Sequence, residues 1–203
     1  MQCEVEKPAK RRVFLWAGEV SRFATLLCIA TAASRREHPL IPHNKLMKTL
    51  TFAALDALTE QATQSPRARM NQNLHESLDD SIQRLAIAME PSTYIRPHLH
   101  HHTWELLTAL RGRFVVLTFD ADGVVIDRKV LGEDTSVIES PIKTHHTVLS
   151  LDPGAVIFEV KHGPYRPFVE ADYADWSAPA DTPEAAAFME WVKTAQVGDR
   201  WAA

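Results

Sequence analysis

The residues best suited to chemistry lie in one run, Arg96-Pro97-His98-Leu99-His100-His101-His102-Thr103-Trp104-Glu105, and in a second, Thr144-His145-His146-Thr147. Strand side chains alternate with period two, so His98 and His100 share one face of an extended segment. Glu105 and a His from the second run complete a set of four donors. Three neutral imidazoles and one carboxylate suit iron, manganese, nickel, copper or zinc. The chain carries ten His, and clustered His can equally be a solvated tract. Spacing has to separate the two readings.

From His98-x-His100 the chain runs four residues to Glu105 and six more to Gly112. Pro141 precedes His146 by five positions, and Pro153-Gly154 follows. These stretches resemble the two signatures of the cupin superfamily. The resemblance implies a jelly-roll barrel that holds one divalent metal ion. Ser92 and Lys143 stand where those signatures usually have Gly. Both departures bear on turn geometry and leave the ligand set intact.

Elements must position these groups, and composition bounds what those elements can be. The length of 203 residues suggests one domain with appendages. A domain of about 160 residues buries roughly 70% of its unfolded surface, so the core needs no disulfide or structural metal. A net charge of −4 argues against a nucleic-acid binder. Residues 1–44 carry +3, which leaves −7 on the remainder, and they hold both cysteines, Cys3 and Cys28. A thiol nucleophile in the body is thereby excluded.

The first 44 residues have two readings. Lys7, Lys10, Arg11 and Arg12 precede an apolar stretch, Phe23 to Ala33, in the outline of a signal peptide. Glu19 and Arg22 interrupt that outline, and the stretch is too short to span a bilayer. The favoured reading is an extension, disordered or created by an early start, ahead of a cytoplasmic body that begins near Met47. The expected organisation is therefore an extension over 1–44, a helix and polar arm over 45–81, a barrel over 82–176 and a helical tail over 177–203.

Leu46, Leu50, Ala53, Ala54, Ala57, Leu58 and Ala62 repeat at helical spacing, which predicts a helix over 47–63 ended by Ser65-Pro66. The polar stretch from Arg67 to Asp80 is either a solvated connection or an arm across the barrel mouth that offers polar groups to a ligand. From residue 82 the period becomes two. Strands are predicted from Leu85 to Met89, Tyr94 to His100, Trp104 to Leu110, Phe114 to Phe119, Val124 to Leu131, Val137 to Glu139, Thr147 to Leu151 and Ala155 to Lys161. Asp122-Gly123 marks a hairpin. Such a count predicts an all-β fold, and a jelly roll fits it. Asp181-Thr182-Pro183-Glu184 reads as a helix start capped by Asp181, with the helix running to about Gln196 and closing at Gly198.

With the elements laid out, the chain resembles the WbuC-type cupin-fold metalloproteins of the RmlC-like cupin superfamily. The matching stretches are Ser65-Pro66-Arg67-x-Arg69-x-Asn71-x-Asn73-x-His75, Gln83-Arg84-Leu85, Tyr94-x-Arg96-Pro97-His98-x-His100, Leu110-Arg111-Gly112, His146-Thr147 and Phe158-Glu159-x-Lys161-x-Gly163-Pro164-Tyr165. They cover about 47–176. The resemblance implies an all-β cupin double-stranded β-helix, a jelly-roll barrel with an N-terminal and a C-terminal helix. It implies one divalent ion (iron, manganese, zinc or nickel) on His98, His100, Glu105 and His146, and a context of surface-polysaccharide synthesis. His145 offers a one-residue alternative to His146, and His102 an alternative to His98.

Parity nominates the neighbours. Arg96 shares the face of His98 and His100, so it is expected beside the metal, where it would bind an anion or pair with Glu159. Glu159 and Lys161 either line the cavity or form an exposed ion pair. Tyr94 and Tyr165 are general acids or core aromatics, with core favoured for Tyr94. The substrate-binding set is Arg96, Glu159, Lys161 and Tyr165. Four protein ligands leave one or two metal positions open, so the ion could act as a Lewis acid, activate water or, as iron(II), activate dioxygen. Two functions follow. One is a metal-dependent enzyme (an isomerase, epimerase or dioxygenase) on a small sugar-like or keto-acid substrate. The other is a sensor or sugar-binding module using the same pocket. The expected setting is a cytoplasmic homodimer with a small-molecule ligand and neither nucleic acid nor membrane as partner.

Overall fold

The computed structural model describes residues 46–202. The expected extension over 1–44 lies outside them. The first element is helix α1, Phe52–Gln64, capped by Thr51, whose hydroxyl accepts the Ala54 N–H at 3.1 Å. That cap sets the helix start later than the periodicity suggests, because Leu46 and Met47 stay exposed. Eight strands follow: β1 Arg69–Asn73, β2 Ile82–Met89, β3 Glu105–Arg111, β4 Phe114–Phe119, β5 Val125–Leu131, β6 Val137–Ser140, β7 His145–Ser150 and β8 Ala155–His162. Helix α2, Pro183–Thr194, comes last.

The strands form two antiparallel sheets, in the orders β1-β2-β8-β3-β6 and β5-β4-β7. Packed face to face with a helix on each outer side, they make a jelly-roll barrel. Met89, Leu107, Phe114, Val116, Leu131 and Ile157 fill the space between the sheets. Truncating a buried Phe such as Phe114 would cost about 3–5 kcal/mol. Leu55, Leu58 and Ala62 of α1 sit on Ala86, Ala88 and Val156. The two small β2 residues let the helix approach the sheet, while Leu85 and Ile87 face the interior cavity. Phe188 and Val192 of α2 cover Val115, Leu117, Phe119 and Leu149 on the outer face of the second sheet.

Crossings between sheets use tight turns. At Gly112 (φ +66°), an added Cβ would lie 2.7 Å from the Ala155 Cβ, so only glycine fits the β3–β4 crossing. The β6–β7 crossing passes through Lys143 with φ +58°. The Gly-to-Lys departure noted in the sequence therefore leaves a non-glycine residue in a left-handed conformation.

Three predicted elements need correction. The segment from Tyr94 to His100 is extended but not a strand: it makes single bridges from His98 to His146 and Tyr173, because Pro97 has no N–H to continue a ladder. The polar arm is not a loop throughout. Arg69–Asn73 pairs with β2 as an edge strand, in the register Arg69 with Met89 and Asn73 with Leu85. The cap of α2 is Thr182, whose hydroxyl accepts the Ala185 N–H at 3.2 Å, and not Asp181. No described helix is long and apolar enough to cross a membrane.

Candidate metal centre

His98 and His146 are held opposite each other by two backbone bonds, His98 N–H to the His146 carbonyl (3.1 Å) and the reverse (2.9 Å). Their rings share a face and lie 4.6 Å apart. His100, two positions on, brings its ring within 5.2 Å of His98 and 5.6 Å of His146. One ring nitrogen from each of the three lies within 4.8 Å of the others. This buried group could hold a metal ion. Glu105 opens β3 beside it, with its two oxygens 3.2 Å from His100 Nε2 and 3.2 Å from His146 Nε2.

The donor chemistry fits a cation. His146 Nδ1 donates to the Thr144 carbonyl (3.0 Å) and His98 Nδ1 to the Arg96 carbonyl (2.8 Å). A carbonyl only accepts, so a proton sits on each Nδ1, and in the neutral ring Nε2 carries the lone pair. The His146 lone pair then faces a carboxylate oxygen. Two acceptors at that distance require a proton or a metal ion between them.

Charge around the centre is organised by Lys161. Its ammonium lies 3.2 Å from Glu105 and 2.8 Å from Glu159. Burial opposes ionisation of Glu105, but Lys161 and the two imidazoles outweigh it and hold its pKa well below the usual value. Burial, then the neighbouring Glu105 charge, push Glu159 up to about 7. Burial would lower the Lys161 pKa, but the two carboxylates raise it. His98 is lowered by burial and by His146. His146 is raised, since the bond and charge of Glu105 overcome its burial.

A cavity of about 430 Å³ runs from the centre, a size typical of small-molecule sites. His98, Glu105, Glu159, Lys161 and Tyr165 all line it. Glu159 and Lys161 thus face the cavity and are not an exposed pair. Tyr165 lies at its rim, half-exposed. Phe168, which no sequence signal singled out, covers His98 and His100 at 4.6 and 5.3 Å between rings.

Arg96 is the predicted residue that the structure places elsewhere. Its guanidinium bonds the Ser177 hydroxyl (2.9 Å) and carbonyl (3.2 Å), pairs with Glu170 (2.9 Å) and lies over the Tyr173 ring. Parity failed there because the segment is not laddered across Pro97, and the returning chain at 170–177 supplies a nearer set of acceptors. His101 and His102 are exposed, and His101 reaches Asp172. His145 turns toward Trp176 and away from the centre. Tyr94 packs edge-on to Phe188 and donates to the Ala178 carbonyl (2.8 Å), and burial pushes its pKa up to about 12.

Residues 50–131 match a family model described as a domain of unknown function, DUF6016. No curated protein matches the chain in sequence. Among solved structures, KdgF from Halomonas sp. is similar at 18% identity, over 50% of this chain and 84% of that one, with a TM-score of 0.38. TT1209 from Thermus thermophilus is similar at 15% identity, over 57% and 97%, with a TM-score of 0.43. The capsular polysaccharide assembling protein CapF from Staphylococcus aureus is similar at 16%, over 51% and 28%, with a TM-score of 0.39.

Proposed function

We propose that the chain is a metal-dependent cupin enzyme of the WbuC type, acting on a small sugar-like or keto-acid substrate in surface-polysaccharide synthesis. The observation that carries the metal-dependent part is the facing of carbonyl-anchored His146 and Glu105 at the end of an open polar cavity. His98, His100, Glu105 and His146 would hold the ion. A bound divalent ion would supply Lewis-acid polarisation of a carbonyl or diol, or an activated water. Lys161 orients Glu105 through their ion pair and keeps Glu159 within reach of the cavity. Phe168 screens the imidazoles from bulk water. Glu159 is the carboxyl group placed to hold or pass a proton to a molecule in the cavity.

Elemental analysis of the full chain beside a His98→Ala/His146→Ala variant tests the reading. Near-stoichiometric metal in the first and none in the second is expected. Iron would point to oxygenation, and zinc or manganese to Lewis-acid sugar chemistry. No metal in either, with both folded, would overturn the metal-dependent reading and leave a binding module in its place.

A further inference from the structure

The cavity holds two kinds of charged group, and only one kind is already matched. Its carboxylates, Glu105 and Glu159, share Lys161. Arg67 and Arg69 line the same cavity, yet among the described residues neither guanidinium has a carboxylate within salt-bridge distance or a hydrogen bond from its side chain. Arg69 is half-buried on the edge strand β1. Its register fixes the direction: Arg69, Asn71 and Asn73 share a face, their partners Met89, Ile87 and Leu85 line the cavity, and so do all three of them. Burial and the neighbouring Arg67 lower the Arg69 pKa by more than the charges of Tyr173, Glu159 and Tyr165 raise it.

Further along the arm, His75 is buried and lines the cavity too. Its Nδ1 lies 2.9 Å from the Arg84 N and 3.0 Å from the Arg84 carbonyl oxygen, and its Nε2 has no partner among the described residues. A buried polar nitrogen left unpaired is costly unless a ligand completes it. The unmatched groups of this wall are therefore two guanidinium cations and one imidazole nitrogen.

We infer that the β1 arm is an acid-binding wall: Arg69, with Arg67, takes the carboxylate or phosphate of a small-molecule ligand whose other end reaches the metal centre. His75 Nε2 pairs with a polar group elsewhere on the same ligand. The ligand is thus an anion, a sugar acid or a sugar phosphate, and not a neutral sugar. Planar guanidinium forks suit both groups. The inference rests on the proposed function for what the ligand's other end meets, and its test is independent of metal.

Calorimetric titration of the full-length His98→Ala/His146→Ala variant with D-glucuronate, inorganic phosphate and D-glucose removes the metal from the question. At least one of the two anions is expected to bind roughly tenfold or more tighter than glucose, as one charged hydrogen-bonded pair would provide. Tighter glucuronate assigns a carboxylate subsite, and tighter phosphate a phosphate subsite. Arg69→Gln in the same background should weaken the favoured anion by about tenfold and leave glucose unchanged. Arg69→Lys, which keeps the charge, should lose less, with circular dichroism confirming that each variant is folded. Anions binding no better than glucose, or anion binding unchanged in folded Arg69→Gln, would overturn the inference. Neither result would touch the metal stoichiometry on which the proposed function stands.

Discussion

At the scale of single residues, the site is governed by which ring nitrogen carries the proton. The carbonyls of Arg96 and Thr144 each claim an Nδ1–H, so the neutral rings of His98 and His146 present lone pairs toward the space beside Glu105. Residue-level strain appears at the neighbouring turn. Lys143 is exposed and left-handed, and its N–H donates to the His100 carbonyl at 2.8 Å. A non-glycine residue there costs ~1 kcal/mol or more. Lys143→Gly should therefore stabilise the fold by about 0.5–1 kcal/mol after the entropy of glycine is subtracted. A melting temperature higher by about 1–4 °C is the expected reading. A lower one would mean that the Lys143 side chain contributes something its φ angle does not reveal.

At the scale of elements, the extended segment carrying His98 and His100 is held by few ladder bonds. It is pinned from one side by β7 and from the other by the stretch at 172–174, where Leu99 donates to the Asp172 carbonyl and Ala174 to the Pro97 carbonyl. Arg96 adds a side-chain clamp to the same stretch through Ser177 and Glu170. It ties the segment carrying His98 and His100 to that stretch. Arg96→Ala should lower thermal stability and weaken metal binding by roughly 10–100-fold without abolishing it. A competition titration against a metal chelator would measure this. Wild-type affinity together with wild-type stability would show that the clamp positions nothing.

At the scale of the whole molecule, the layers run α1, first sheet, second sheet, α2, and residues Leu46–Ala203 form one compact unit. A chain beginning at Met47 should then fold and unfold cooperatively, with the melting temperature of the full protein. Loss of cooperative unfolding would show that residues 1–44 are structural. The barrel was legible in advance because alternation, Asp122-Gly123 and the turn residues are local signals. The candidate ligand residues were legible because their spacing is a local pattern on extended chain. The edge strand Arg69–Asn73 was not, since all its residues but Met70 are polar and only pairing with β2 makes it a strand. Nor was Phe168, which reaches the imidazoles from an irregular return. The position of Arg96 depended on a competition between two environments, the cavity and the stretch at 170–177, that only the assembled chain presents. Sequence alone therefore determined residue types, strand periods and the histidine pattern, each of which acts within a few neighbours. The tertiary structure decided which donors meet, which cations find counter-charges and which remain unmatched, because those outcomes depend on distances between segments far apart in the chain.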